Sequence, residues 1–342
     1  MDSGKLVKES FLNNLTVVTG APTAGKSLIA PIVSSFARTE NFRMNILLEH
    51  LGTLNALGRI DDETLMFLWR YTVDFMAYDN FIGRDMNMRF GDETSIFLKE
   101  SPACFLERLL ADRGEYVLEQ MSAEDRLIVV TLTDAFSHAH NWFAAFPFMK
   151  MIHIKRHPID LVYSWYNHRY GEYQTESDKK ETADVTFGSE TYSSRLNQVL
   201  MLELNGRSVP HYARAIVGQY AEVSEMDRVI LMIRSIQQSF ESSDKMLSPE
   251  QKKMVAEITF DQVIHDSFSI VKELASFLGT EITSHTLDVL RREDCPREVE
   301  ANKRQEKLEK IREEASLEGL QILQELVTEY EGENCNRKII YS

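Results

Sequence analysis

Cysteine is scarce in this chain: Cys104, Cys295 and Cys335 are the three present in 342 residues. They stand far apart and form no C-x-x-C pair, which leaves neither a disulfide framework nor a zinc site. Positive charge is short as well, with 38 Lys plus Arg against 53 Asp plus Glu and a formal net charge of −15. Duplex nucleic acid and anionic membrane both repel such a surface, so neither is an expected partner, and any anionic ligand must be held by a local site. Long hydrophobic runs are missing too. No segment approaches the roughly 18 apolar residues of a membrane span, and the N-terminal MDSGKLVKESFLNNLTVVTG lacks an uninterrupted apolar stretch of signal-peptide length. A cytoplasmic location, or an equivalent reducing compartment, is the expectation. With 43% hydrophobic and 27% charged residues and no low-complexity tract, the chain reads as a globular protein of one large or two modest domains.

Apolar runs alternate with helical patterns. Leu15 to Val18, closed by Thr19 and Gly20, reads as a strand, followed by a loop and a helix from Lys26 to about Arg38. Met44 to Leu48 is a second apolar run, read as a strand ending in Glu49 and His50. Asp62 to Ala77 has helical spacing, and a further helix falls near Pro102 to Asp112. Strands follow at Leu127 to Leu132 and Lys150 to Lys155, with a helix around His138 to Ala145 between them. The alternation predicts an α/β fold, a central parallel sheet flanked by helices. Gly171 to Ser194 is polar and aperiodic, an irregular insertion of the length that is usually functional or mobile. Helical pattern returns at His211 to Glu222, Asp227 to Phe240 and Ser267 to Leu278, with a late strand at Met254 to Phe260. In the charged segment from Arg291 onward, Leu308, Ile311, Ala315, Leu320, Leu323 and Val327 fall on one face of a C-terminal amphipathic helix, which docks on the body or on a second copy of the chain.

Two stretches carry chemistry. Gly20-Ala21-Pro22-Thr23-Ala24-Gly25-Lys26-Ser27 fits G-x-x-x-x-G-K-[ST] at every required position, between a strand and a helix as the pattern needs. Small residues let successive N–H groups turn inward, and the helix N-terminus adds partial positive charge, which makes an anion cradle within reach of Lys26. Taken alone, this loop fits an ATP- or GTP-dependent kinase or ATPase, with Asp134 as the acidic residue to hold Mg²⁺. The second stretch runs from Met151 to Tyr166. It places Arg156 at the end of an apolar strand, Pro158 in the first turn of a helix and Ser164 two turns in, so that Arg156 and Ser164 converge on one anionic group.

The second stretch closely resembles the 3′-phosphate-binding motif of the sulfotransferases that use 3′-phosphoadenosine 5′-phosphosulfate (PAPS). Arg156, Pro158, Asp160 and Ser164 match its pattern of strand, Arg, x, Pro, x, Asp, three residues, Ser. In that family the N-terminal strand, loop and helix bind the 5′-phosphosulfate, where Gly20 to Ser27 fall here. Thr259-Phe260-Asp261 and Ser267 to Gly279 are similar to the family's late strand and helix. The resemblance thus implies a P-loop-type sulfotransferase domain over about residues 1–290, followed by the charged segment and helix of 291–342. It also implies that Ala21, Pro22, Thr23, Ala24, Gly25, Lys26, Ser27, Arg156 and Ser164 bind PAPS. One departure stands out: many members read P-K-S-G-T-T or P-R-S-G-T, whereas Thr23 here takes the basic position and Lys26 stands where the first Thr is usual. A catalytic role for Lys26 therefore follows from its chemistry rather than from alignment.

An acceptor hydroxyl or amine needs a general base. Asp134, Glu49 and His50 are the candidates at strand ends, where parallel sheets open their ligand crevice. His138 and His140 follow Asp134 and are candidates for the same cleft. Asp134 also reads as a simple N-cap of the next helix. The polar loop Gly83 to Asp92 is a candidate acceptor contact or an ordinary ion-paired turn. Arg291, Arg292, Arg297, Lys303 and Arg304 resemble by position the basic segment that closes over the nucleotide in the family, or else form a solvated face. The resulting expectation is a PAPS-dependent sulfotransferase that requires no metal, with a nucleotide co-substrate and an acceptor the sequence does not name. A kinase or ATPase, and a non-catalytic nucleotide-binding scaffold, are the two other readings.

Overall fold

The computed structural model describes residues 6–110, 112, 114–171, 185–187, 190–192, 200–204, 207–298 and 301–334. Five strands form the central sheet: β1 (Leu15–Gly20), β2 (Arg43–Met44), β3 (Ile128–Thr133), β4 (Lys150–Lys155) and, after two hairpins, β9 (Val255–Thr259). Their order is β2-β3-β1-β4-β9, and every neighbouring pair is parallel, with Val17 opposite both Val130 and Met151. The hairpins are β5 (Val185–Phe187) with β6 (Glu190–Tyr192), and β7 (Met201–Leu204) with β8 (Arg207–Pro210). All six residues of β1 are buried, which is why it carries no charged residue and does not alternate apolar with solvent-facing positions. The insertion expected near 171–194 lies, apart from Gly171 and the short β5–β6 hairpin, outside the described residues.

Met44 to Leu48 does not form the expected strand. Only Arg43–Met44 pairs with β3, and a helix occupies Ile46–Ala56. The reason is local: the Asn45 side chain accepts a hydrogen bond from the Leu47 N–H and caps the helix, while Leu48 and Leu51 supply its buried face. Glu49 and His50 therefore sit one turn into a helix, not at a strand end. The expected helix over His211 to Glu222 is likewise shorter, a 3₁₀ segment over His211–Ile216.

The C-terminal amphipathic helix is two helices, Ala301–Glu314 and Leu317–Asn334. The break comes at Ser316, whose hydroxyl accepts from the Gly319 N–H while its own N–H and hydroxyl donate to Asp227 Oδ1 at 3.0 and 3.1 Å. Both helices dock on the body, with Ile311, Leu323 and Leu326 buried. Arg304 holds Asp160 and Asp261, and Lys307 holds Asp160, tying the first of them to the Pro158–Asn167 helix. No helix among the described residues is long and apolar enough to cross a membrane. Cys104 is exposed and Cys295 buried, both as free thiols.

Candidate active site

The loop between β1 and the Lys26–Ser34 helix is shaped by two glycines. Gly25 precedes the helix with φ of 115°, a left-handed conformation in which a side chain would be strained, and an added Cβ would lie 2.5 Å from Phe260 Cδ2. A Cβ on Gly20 would lie 2.4 Å from the Ile154 carbonyl oxygen, so glycine alone lets β1 and β4 run this close. Thr23 also has positive φ, at 61°. The loop is pinned from the far side of the sheet end. Trp165 Nε1 donates to the Pro22 carbonyl at 2.8 Å, and Arg156 Nη1 donates to the Thr23 carbonyl at 2.5 Å.

A cleft of about 520 Å³ opens at the C-terminal ends of β1, β3 and β4. It brings together Pro22, Thr23, Gly25, Lys26 and Ser27 of the loop with Glu49, His50, Asp134, Arg156 and Ser164. Two groups proposed from sequence fall elsewhere. Ala21 and Ala24 are buried on the opposite side of the loop, beside a small void with His153 and Leu161, and neither lines the cleft. His138 lines the cleft and His140 does not. The polar loop 83–92 contributes nothing to the lining; its charges are spent on Arg84–Asp79 and Arg89–Asp92 pairs. Of the C-terminal basic residues only Arg297 reaches the cleft, while Arg291 pairs with Asp288 and Arg304 with Asp160 and Asp261.

The end of the cleft formed by the loop and Arg156 shows polar atoms left over by the protein. Arg156 Nε and Thr23 Oγ1 are buried without a hydrogen-bond partner among the described residues. Such orphans carry a desolvation cost of about 1–3 kcal/mol, which an anionic ligand would offset. The rest of the Arg156 guanidinium lies 5.0 Å from the Phe260 ring centre, and Arg297 lies 5.8 Å from the same ring. Lys26 folds back onto its own loop, donating to the carbonyls of Gly20 and Ala21 at 3.1 and 2.8 Å. Burial lowers its pKa to about 8, against the raising influence of Glu49 and Asp134.

Two carboxylates face this lysine. Glu49 Oε1 accepts the Thr133 N–H at 2.5 Å, and burial pushes its pKa up to about 7 despite that bond and the nearby Lys26. Asp134 ends β3 in the left-handed region with φ of 60° and makes no side-chain cap. Instead its Oδ1 accepts the Ser137 hydroxyl at 2.5 Å, and burial raises its pKa to about 6. Tyr212, which sequence reasoning passed over, lines the same wall, and burial together with both carboxylates drives its pKa well above the ordinary tyrosine value.

The cleft thus combines a glycine-framed anion loop, a strand-end arginine with a helix serine, and a lysine facing two carboxylates. Residues 119–330 match the family model of the sulfotransferase domain. The chain belongs to the sulfotransferase domain family. The matched span includes β3, β4, Asp134, Arg156 and Ser164, and leaves the Gly20–Ser27 loop outside it. Solved structures similar to this sulfotransferase include the sulfotransferase domain from the curacin biosynthetic pathway, 12% identical with 81% of this chain and 78% of that one covered, TM-score 0.40. A sulfotransferase from Mycobacterium avium is 12% identical, with 94% and 76% covered and a TM-score of 0.43. The sulfotransferase domain of a Synechococcus olefin synthase is 12% identical, with 93% and 96% covered and a TM-score of 0.40. No curated protein matches the chain.

Proposed function

We infer that this sulfotransferase takes its sulfuryl group from PAPS and passes it to an acceptor hydroxyl or amine, releasing adenosine 3′,5′-bisphosphate. The observation that carries this reading is the pair Arg156 and Ser164, facing the same cleft as the Gly20–Ser27 loop, with Arg156 Nε buried and unpartnered. An ATP site has no 3′-phosphate for such a pair to bind. Arg156 and Ser164 hold the 3′-phosphate, and the loop amides with Lys26 hold the 5′-phosphosulfate.

In the transfer step a bond forms between acceptor oxygen and sulfur, and the bond from sulfur to the bridging oxygen of the 5′-phosphate breaks. Negative charge grows on that leaving oxygen. Lys26, released from the Gly20 and Ala21 carbonyls, stabilises it together with the loop N–H groups. Glu49 takes the acceptor proton. Its carboxylate is fixed through Oε1 by the Thr133 N–H, and a pKa near 7 suits a base working at neutral pH. Asp134, fixed by Ser137, adds negative charge near Lys26 and favours its protonated form. Incubation with radiolabelled PAPS and a panel of hydroxyl and amine acceptors tests the reading, with label on an acceptor as the expected result. Label that stays on the nucleotide, together with equal affinity for AMP and adenosine 3′,5′-bisphosphate, would refute it.

A further inference from the structure

Cations crowd one end of the cleft. Among the described lining residues the Lys and Arg side chains are Lys26, Arg156 and Arg297. The last two share the Phe260 ring, which also closes on Gly25 of the loop. This is the nucleotide end.

The other end is built differently. Trp69 stacks on Trp142 with ring centres 4.0 Å apart, and its indole N–H donates to the Leu48 carbonyl at 3.0 Å, so the Asp62–Phe81, Ala139–Ala145 and Ile46–Ala56 helices are locked into one wall. Met44, Leu48 and Leu132 complete it. His138 lies edge-on to Trp69 and against Gly52, where an added Cβ would come within 3.0 Å of His138 Cδ2 and 3.5 Å of Trp69 Cζ2. A glycine in mid-helix costs roughly 1 kcal/mol relative to alanine, and here its missing side chain is what admits the imidazole. Burial pushes the pKa of His138, and that of the neighbouring lining residue His211, down to about 4, so both rings are neutral at physiological pH. Among the described lining residues the carboxylates are Glu49, Glu93, Asp134 and Glu293, of which Glu49 and Asp134 act on Lys26. Arg214, the further cation in this neighbourhood, is exposed and donates to the Ala56 carbonyl at 3.1 Å.

Resting on the sulfotransferase reading above, we propose that the acceptor is an uncharged hydroxyl compound with an apolar frame, a phenol or apolar alcohol, and that anionic acceptors are rejected. An acceptor carboxylate or sulfate would lose its hydration against an aromatic wall, with no Lys or Arg among the described lining residues at that end to pair with and two carboxylates beside it. An apolar ring instead gains contact with the tryptophan wall. A neutral imidazole offers its hydroxyl one N–H donor or one nitrogen acceptor, without placing a charge there.

The test uses a matched pair, 4-hydroxyphenylacetate and its methyl ester, which present the same phenol and differ in one negative charge. With saturating PAPS near neutral pH, the ester is expected to show a kcat/KM higher than that of the acid by about tenfold or more, the scale of a misplaced like charge. Quenching of tryptophan fluorescence by the ester, but not the acid, in the presence of adenosine 3′,5′-bisphosphate is the expected binding signature. Met44→Arg, at the partly exposed edge of the wall, is expected to raise kcat/KM for the acid toward that for the ester. Equal or faster sulfation of the acid overturns the proposal, as does preferential sulfation of heparin. Bisphosphate binding with sulfation of neither phenol overturns it too. Loss of bisphosphate binding itself would count against the PAPS reading instead.

Discussion

Arg156 reaches from the end of β4 to the Gly20–Ser27 loop, its Nη1 donating to the Thr23 carbonyl at 2.5 Å while its Nε stays buried without a hydrogen-bond partner among the described residues. One side chain therefore fixes the loop and keeps a donor in reserve for a ligand. Adenosine 3′,5′-bisphosphate should accordingly bind more tightly than AMP or ATP. Arg156→Ala should weaken it by about 2–4 kcal/mol, the scale of truncating one partner of a desolvated charge pair. Titration calorimetry measures both, and the variant's affinity for AMP should fall much less.

Lys26→Ala separates binding from catalysis. The loop N–H groups survive the substitution, so bisphosphate affinity should change little. The charge facing the leaving oxygen is gone, and kcat should fall by about 10²–10³. Steady-state kinetics beside calorimetry show the split. Normal turnover would assign the role to another cation in the cleft, with Arg297 the first to examine.

Gly25→Ala tests whether the cradle needs glycine. At φ of 115°, and with a Cβ 2.5 Å from Phe260 Cδ2, the substitution forces strain and a clash with the ring that Arg156 and Arg297 share. A loss of about 1–3 kcal/mol in denaturant unfolding is expected, along with weaker bisphosphate binding. Phe260→Leu in the same background should recover part of the stability by making room for the methyl group.

The parts of the site that lie contiguously in the chain were legible from it. Strand, turn and helix from Met151 to Tyr166 put Arg156 and Ser164 in one crevice whatever the rest of the fold does. Glu49 was found for the wrong reason. The four apolar residues between Met44 and Leu48 satisfy a strand and a buried helix alike, and the Asn45 cap decided between them. Tyr212 and His211 gave no signal, because they reach the cleft from a 3₁₀ turn after β8, far from any motif. Trp69 and Trp142 are core residues, and that they also wall the cleft depends on how three helices meet. The break at Ser316 depends on Asp227, a tertiary partner that no local pattern in the C-terminal segment contains.

Stability should fall as pH rises through the range where Glu49 titrates. Its folded pKa of about 7 lies above the ordinary 4.5, so the folded state holds a proton that the unfolded state has released. The associated stability is fully present below about pH 4.5 and is lost by about pH 7. Denaturant midpoints should therefore drop between these limits, and Glu49→Gln, which cannot ionise, should flatten the drop. An unchanged slope in the variant would mean that Glu49 is ionised in the folded protein throughout.

The same ionisation governs the identity of the base. A carboxylate must be deprotonated to accept the acceptor proton, so kcat/KM should rise with pH. The midpoint should fall near 7 if Glu49 is the base and near 6 if Asp134 is, following the values that burial gives them. Glu49→Gln should abolish this limb and most of the rate while leaving bisphosphate affinity intact. Asp134→Asn should keep the limb. It removes a negative neighbour that raises the Glu49 pKa, so the midpoint should move down. His50→Asn should leave the profile unchanged. The reverse pattern, with the limb lost in Asp134→Asn and kept in Glu49→Gln, transfers the base to Asp134. Full activity in all three variants would exclude them together and pass the role to His138, the remaining sequence candidate that lines the cleft.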